Sequence, residues 1–152
     1  MRSQGTEYCF HCALGRCGLF ALLLGILLGC ETKSPELAPI HGTLLQSGKP
    51  IAEARVVLHP LGGQAAELPQ PQATTDEQGQ FSVTTLKGGD GAQPGKYAIT
   101  VELRAPRRSG EESIRDGRNL LPSRYANPDT SGITKEVTAG VNVWPAIELP
   151  AK

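Results

Sequence analysis

Short runs in which apolar and polar residues alternate, each ended by a turn rich in glycine or proline, most constrain how this chain folds. The clearest run is 96–103, in which Tyr97, Ile99 and Val101 alternate with smaller or polar residues. Successive side chains of a strand point to opposite faces, so such a run gives a strand with one apolar face. No segment keeps a 3.6-residue apolar period over the length of a helix. The pattern therefore predicts an all-β domain.

Seven such runs follow one another between residues 40 and 150, which we predict to form one domain. Seven short strands with one-sided alternation fit two packed sheets better than one open sheet, so we predict a seven-stranded β-sandwich. Pro145 interrupts the last run, which predicts an edge or bulged strand there. The predicted strands are 40–45, 54–59, 72–75, 80–85, 96–103, 133–137 and 143–149.

An apolar run precedes this domain and ends at a cysteine. As a helix, residues 19–28 would span only roughly 15 Å, against a hydrocarbon core of about 30 Å. Arg2 and Arg16 place positive charge ahead of the run. This length and charge are typical of a signal peptide, which we assign to residues 1–29.

The residues at the end of the run carry a more specific signal. Leu27, Leu28, Gly29 and Cys30 resemble the lipobox of bacterial prolipoproteins. The resemblance implies diacylglycerol on the Cys30 thiol, cleavage before it and acylation, typically by palmitate, of the new N-terminus. Two or more acyl chains hold a protein stably at a membrane. Leu28 is bulkier than the residue usual at its position.

The segment 30–39 is polar, holds two prolines and is predicted to be a lipidated tether. The whole chain has 15 basic and 15 acidic residues, which gives no electrostatic reason to expect a nucleic-acid partner. Glu31 stands where an aspartate would retain a lipoprotein at the inner membrane, so the resemblance favours the outer membrane. The expected location is a bacterial cell envelope, facing the periplasm or the exterior.

Three turns within the domain carry a second resemblance. The stretches "SGKPIAEARVVLHP", "TTDEQGQFSV" and "GDGAQPGKYAITV" place turn-forming residues such as Gly79 and Gly91 ahead of core positions such as Phe81. In this order they resemble the carboxypeptidase regulatory-like domains, which are transthyretin-like β-sandwiches. The later stretch "LLPSRYANPDTSGIT" resembles small bacterial lipoproteins with one such domain. The family implies a fold and a surface location but no reaction and no catalytic residue.

Two enzymes with related folds do not fit the sequence. The hydroxyisourate hydrolases end in a tyrosine-arginine-glycine-serine motif, whereas this chain ends in "ELPAK". The intradiol dioxygenases hold iron with two tyrosines and two histidines. Tyr97, Tyr125, His41 and His59 provide those residue types without that family's spacing, and Tyr97 is predicted to lie in the core. We expect no catalytic residue and no cofactor.

Three other groups of residues could suggest a metal site, but each fits a role without a metal better. Cys9, Cys12 and Cys17 lack a second zinc-ligand pair and lie within the predicted signal peptide. His41 and His59 are predicted to share an outer face on neighbouring strands, where surface histidines are usually solvated. The loop carboxylates, of which Asp76 and Asp90 are the clearest, lack the dense oxygen ligands of a calcium site and fit turn capping.

The segment 104–124 is far longer than ordinary loops and is rich in arginine. It has too little apolar surface to offset the entropy of ordering, which predicts an exposed and mobile loop. The alternative is a docking surface for an envelope protein or polysaccharide. Its arginines would then contact carboxylates or phosphates. These residues are Arg107, Arg108, Arg115, Arg118 and Arg124.

The sequence favours a lipid-anchored envelope protein whose non-catalytic β-sandwich acts as a binding or structural module. Its anchor at Cys30 makes a membrane the first expected partner. A ligand-binding accessory of a neighbouring enzyme or transport system is the alternative. An enzyme of unknown chemistry is the third and least favoured interpretation.

Overall fold

The computed structural model describes residues 35–62, 68–109 and 112–150, and the side chains of residues 108–114 lie outside the description. These residues form eleven short strands and one 3-10 helix (Ser123–Ala126). The strands are β1 (Ile40–Gln46), β2 (Lys49–Pro50), β3 (Arg55–Pro60), β4 (Gln72–Thr74), β5 (Gln80–Ser82), β6 (Gly95–Glu102), β7 (Arg107–Ser109), β8 (Glu112–Ile114), β9 (Thr134–Val137), β10 (Asn142–Val143) and β11 (Ile147–Leu149).

The first sheet has five strands arranged around β1. β2 and β5 pair antiparallel with one side of β1, and β10 and β11 pair parallel with its other side. Three steps along β1, from His41 to Leu44, correspond to four steps from Val143 to Ile147. The extra residue lies around Pro145, which has no N–H to donate to the ladder. The prediction of an edge or bulged strand at Pro145 is confirmed.

The second sheet has four antiparallel strands in the order β4-β3-β6-β9. β3 and β6 share the longest register, from Arg55 opposite Glu102 to Pro60 opposite Tyr97. Val56 and Leu58 of β3 are fully buried, whereas Arg55 is exposed. The predicted faces of β3 are confirmed. β6 buries its predicted core face, but Ala98 and Thr100 on its other face are buried as well. The all-β sandwich predicted from the alternation is likewise confirmed.

The core is formed by the inner faces of the two sheets. Phe81 and Trp144 meet edge to face, with ring centroids 6.4 Å apart. Tyr97 is only 2% exposed, and its hydroxyl donates to the Gln93 carbonyl at 2.8 Å. Its burial also raises the pKa of the Tyr97 hydroxyl. All described core residues lie between Ala38 and Leu149, so a chain of residues 35–152 contains that whole core.

Two loop carboxylates cap turns, as the sequence predicts. Oδ1 of Asp76 accepts the backbone N–H groups of Gln78 and Gln80 at 2.9 and 2.7 Å. Both bonds hold the turn that leads into β5. The turn-capping interpretation of this carboxylate is confirmed.

Asp90 caps the loop between β5 and β6 in the same way. Its Oδ1 accepts the backbone N–H of Thr85 at 2.7 Å, and its Oδ2 accepts those of Leu86 and Lys87 at 2.9 and 2.7 Å. Desolvation raises the pKa of the Asp90 carboxyl. The backbone donors outweigh this effect and hold the pKa below its ordinary value.

Asp90→Asn is expected to lower the free energy of unfolding at neutral pH by about 1–3 kcal/mol, because an amide nitrogen cannot accept the bonds from Leu86 and Lys87. A folded-state pKa below the unfolded value means that this stabilisation exists above about pH 3.9 and is lost as the pH falls through the folded-state pKa. The difference in free energy of unfolding between wild type and Asp90→Asn, measured by urea denaturation, should therefore become smaller at acidic pH. Glu77→Gln is the control at an exposed carboxyl. A gap that stays constant with pH would contradict this origin of the stabilisation.

The segment 104–124 differs from the predicted loop. β7 and β8 pair antiparallel as a hairpin, Arg104 forms a β-bridge with Asn119, and Leu121 is buried in the core. Tyr125, just beyond the segment, is buried as well. Backbone pairing and buried Leu121 therefore order part of the segment, whereas its predicted mobility stays a prediction.

The fold also begins slightly earlier than predicted. Ala38 is buried and forms an antiparallel bridge with Ala92, with N–H to carbonyl distances of 2.8 and 3.2 Å in the two directions. Two residues assigned to the tether, Ala38 and Pro39, thus belong to the folded unit, in which the Pro39 carbonyl accepts the N–H of Asn142.

Candidate functional site

The outer face of the four-stranded sheet carries an open cleft of about 440 Å³, at the end where β3 begins and β4 and β6 finish. Its volume lies in the range of small-ligand sites. We name it the arginine cleft, because three guanidinium groups line it together with two carboxylates and one hydroxyl. The lining residues are Glu53, Arg55, Thr74, Glu102, Arg104 and Arg115.

Arg55 lies at the strand floor of the cleft. It is directly opposite Thr74 of β4 and Glu102 of β6, and directly opposite residues share one face of a sheet. Its Nε and Nη2 donate to Oε1 of Gln72, at 3.1 and 2.6 Å. Within the described ranges Arg55 forms no ion pair. The Arg55 guanidinium therefore donates to a neutral amide and not to a carboxylate.

Glu53 reaches the cleft from the turn between β2 and β3. Its backbone is left-handed, with φ of 57°, a conformation that costs a non-glycine residue about 1–3 kcal/mol. Buried Thr75 holds the turn: its carbonyl accepts the Glu53 N–H at 2.9 Å, and its hydroxyl accepts the Ala54 N–H at 2.8 Å and donates to the Ile51 carbonyl at 2.7 Å. The backbone carbonyl and the side-chain hydroxyl of one buried residue, Thr75, thus hold the turn.

The other two arginines belong to the long segment after β6. Nε and Nη2 of Arg104 donate to Oε2 of Glu102 at 3.1 and 2.9 Å. Arg115 forms an ion pair with Glu53 and donates from Nη1 to the Arg104 carbonyl at 3.2 Å. Each carboxylate of the cleft is therefore already paired with an arginine.

Asn119 joins the two ends of this segment, where the chain leaves β6 and where it returns. Its Oδ1 accepts the backbone N–H groups of Leu103 and Leu121 at 3.0 and 3.1 Å, next to its bridge with Arg104. The side-chain oxygen joins the end of β6 to the returning chain. This fixes where Arg104 and Arg115 enter the cleft.

Three guanidiniums and two carboxylates leave the arginine cleft with one net positive charge. Both ion pairs are substantially solvent-exposed. Exposed pairs contribute only about 0–1 kcal/mol each. A ligand that competes for these groups therefore has little stabilisation to overcome, and the net charge favours an anion.

The structure separates the arginines predicted as one binding loop. Arg115 lines the arginine cleft, whereas Arg107 forms an ion pair with Asp116 outside the cleft lining. Arg118 is exposed and also lies outside the lining. Only one of these three therefore contributes to the cleft.

Arg124 has a different environment again. Its guanidinium lies over the ring of Tyr125, 4.7 Å from the centroid, and donates to the tyrosine hydroxyl at 2.8 Å. This is a cation–π contact that covers a core tyrosine. The side chain of Arg108 lies outside the described residues.

Sequence reasoning missed most of the cleft. Alternation correctly placed Arg55 and Glu102 on outward faces, but only strand register shows that they are neighbours. Glu53 sits in a turn with no motif that marks it. The position of Arg115 in the cleft depends on the hydrogen bonds of Asn119 to Leu103 and Leu121, which no sequence motif marks.

The two histidines predicted on neighbouring strands lie in different sheets, His41 in β1 and His59 in β3, so that prediction is wrong. His59 instead belongs to a polar contact on the outer face, with Nε2 2.9 Å from the Thr100 hydroxyl and Nδ1 2.8 Å from Nε2 of Gln70. Burial lowers the pKa of His59. In the described part of the chain, no three His, Cys, Asp or Glu side chains are grouped to hold a metal ion.

The predicted leader residues lie outside the described ranges. These are the lipobox residues Leu27, Leu28 and Gly29, the lipidation site Cys30 and the three earlier cysteines. Among the residues that are described, no helix has the length and apolar character needed to cross a bilayer.

Comparison with known proteins identifies structural likeness only. No family model and no curated protein matches the sequence. A 9R-lipoxygenase from Cyanothece PCC8801 is 14% identical with a TM-score of 0.41, over 77% of this chain and 17% of the lipoxygenase. A candidate carbohydrate-binding protein from Pseudomonas aeruginosa is 17% identical with a TM-score of 0.34, over 78% of this chain and 92% of that protein. At these scores the likeness carries no functional argument.

Proposed function

We propose that this protein is an exported, lipid-anchored component of a bacterial cell envelope, and that its β-sandwich is a non-catalytic module that binds an anionic envelope component. The observation that carries the binding role is the arginine cleft. Its floor residue, Arg55, stands on a strand of the sheet, and sites on strands hold their geometry better than sites on loops. Its net positive charge matches an anionic ligand.

The chemistry of the cleft supports binding rather than catalysis. Glu102 and Glu53 are each held by an arginine, at the strand end and in the turn respectively. A general acid or base needs a carboxyl that is free to exchange a proton with the substrate. Carboxylates that pair with guanidiniums instead orient those cations through weak, exposed contacts, which a charged ligand can displace.

The lipid anchor is supported by the sequence from Leu27 to Cys30. Cys30 precedes Ala38, the first of the described residues to form a β-bridge, by eight residues. Eight residues span at most about 30 Å when fully extended. A lipidated Cys30 would therefore keep the domain close to the membrane surface, where it meets envelope components rather than distant solutes.

Cys30→Ser is expected to abolish incorporation of labelled fatty acid and to leave an uncut precursor, because the thiol is the atom that would carry the diacylglycerol. The measurement is metabolic labelling with palmitate, with precursor and mature forms separated by mass. Cys17→Ser, a thiol upstream of the proposed cleavage, is the matched control and should label like wild type. Equal labelling of Cys30→Ser and wild type would refute the anchor.

A further inference from the structure

We infer that the arginine cleft binds a uronic-acid saccharide, and that Arg55 is the residue that takes the sugar carboxylate. The inference rests on the proposed binding function and names the ligand class of that same site. It starts from a difference among the three arginines: Arg104 and Arg115 are paired with glutamates, whereas Arg55 donates to the neutral amide of Gln72.

The contact between Arg55 and Gln72 is one that a carboxylate improves. Two guanidinium donors, Nε and Nη2, converge on the single oxygen Oε1 of Gln72. A carboxylate offers two oxygens in the geometry that a guanidinium binds bidentately, and it adds charge. Gln72 is exposed, so its amide returns to water when the ligand replaces it. The exchange therefore gains an ion pair without burying an unpaired polar group.

The charge count favours a ligand with one negative charge per unit. One carboxylate on Arg55 neutralises the single net positive charge of the cleft. A phosphate monoester carries about −1.5 to −2 at neutral pH. Its extra charge would face Glu53 and Glu102, both of which line the same cleft. A carboxylate thus fits the charge distribution better than a phosphate monoester does.

The groups around Arg55 favour a sugar ring. Ionised Glu53 and Glu102 can only accept hydrogen bonds, while the Thr74 hydroxyl opposite Arg55 can donate or accept. A matching ligand carries a carboxylate flanked by hydroxyl donors, which is the arrangement of a uronic-acid ring. The cleft is open on the face of a sheet, so a unit within a longer saccharide chain can enter it without a free end.

The test is isothermal titration of residues 35–152 with a short galacturonic-acid oligosaccharide and with the neutral galactose oligosaccharide of equal length. We expect the uronic-acid ligand to bind at least about tenfold more tightly than the neutral one. Arg55→Gln is expected to weaken uronate binding by about tenfold or more, since a charge-assisted bidentate contact is lost. The matched control is Arg107→Gln, which removes an arginine outside the cleft and should bind like wild type. Thermal unfolding should show that both variants fold.

Three results would overturn the inference: no uronate binding, equal binding of both oligosaccharides, or unchanged uronate binding by Arg55→Gln. Binding of a poly-glutamate peptide in place of the uronate would overturn the saccharide class and leave the proposed binding module standing. Uronate binding together with unaltered labelling of Cys30→Ser would support this inference while refuting the anchor. The two proposals therefore fail separately.

Discussion

Gly91→Ala is expected to lower the free energy of unfolding by about 3–5 kcal/mol, measured by urea denaturation of residues 35–152. Two costs add. Gly91 has φ of +85°, which an L-residue adopts with strain. A Cβ on Gly91 would also lie 1.7 Å from the Ala38 carbonyl oxygen, so the backbone on one side must move. That carbonyl accepts the N–H of Ala92 in the bridge that begins the fold.

Gly140→Ala is the matched control for this prediction. Gly140 also has a positive φ, of +90°, but an added Cβ would meet nothing within 4 Å. Its expected cost is the conformational term alone, about 1–2 kcal/mol. The difference between the two variants isolates the close approach of Gly91 to Ala38. Equal losses of stability would show that this approach is not maintained in solution.

Tyr97→Ala is expected to lower the free energy of unfolding by about 3–5 kcal/mol, because it removes a large buried side chain and leaves a cavity between the sheets. Tyr97→Phe is the companion variant. It keeps the ring and removes only the hydrogen bond to the Gln93 carbonyl, at an expected cost of about 1 kcal/mol. Chemical denaturation of both variants separates ring packing from the hydroxyl. A cost for Tyr97→Ala no larger than that for Tyr97→Phe would contradict a core position for the ring.

The strands were predictable where one face is apolar and the other is not. Val56 and Leu58 alternate with more exposed residues, and the structure buries both. Tyr97 and Ile99 are buried as predicted, but so is Ala98 between them. Turn residues were predictable for a related reason, since a side-chain oxygen such as that of Asp76 bonds its own turn locally. Strand alternation and turn capping both depend on residues close together in the chain, so the sequence alone reveals them.

The hairpin and the cleft were not predictable because their determinants are not local. β7 and β8 consist mainly of charged and polar residues, so no alternation marks them. Their position depends on Asn119, which bonds Leu103 sixteen residues earlier. The cleft joins Glu53 to Arg115 across more than sixty residues of sequence. Such pairs follow from strand register, which is fixed only when both sheets have formed.

The parallel pairing of β1 with β10 and β11 sets how the domain responds to mechanical force. The chain enters at the start of β1 and leaves at the end of β11, and these points lie at opposite ends of one ladder. Tension between the two ends pulls along the strands in opposite directions, so it loads the ladder in shear. The bonds of Asn142 to Pro39 and of Trp144 to His41 then share the load instead of opening one by one. A domain held before β1 and pulled from beyond β11 is thus loaded in shear along this parallel ladder.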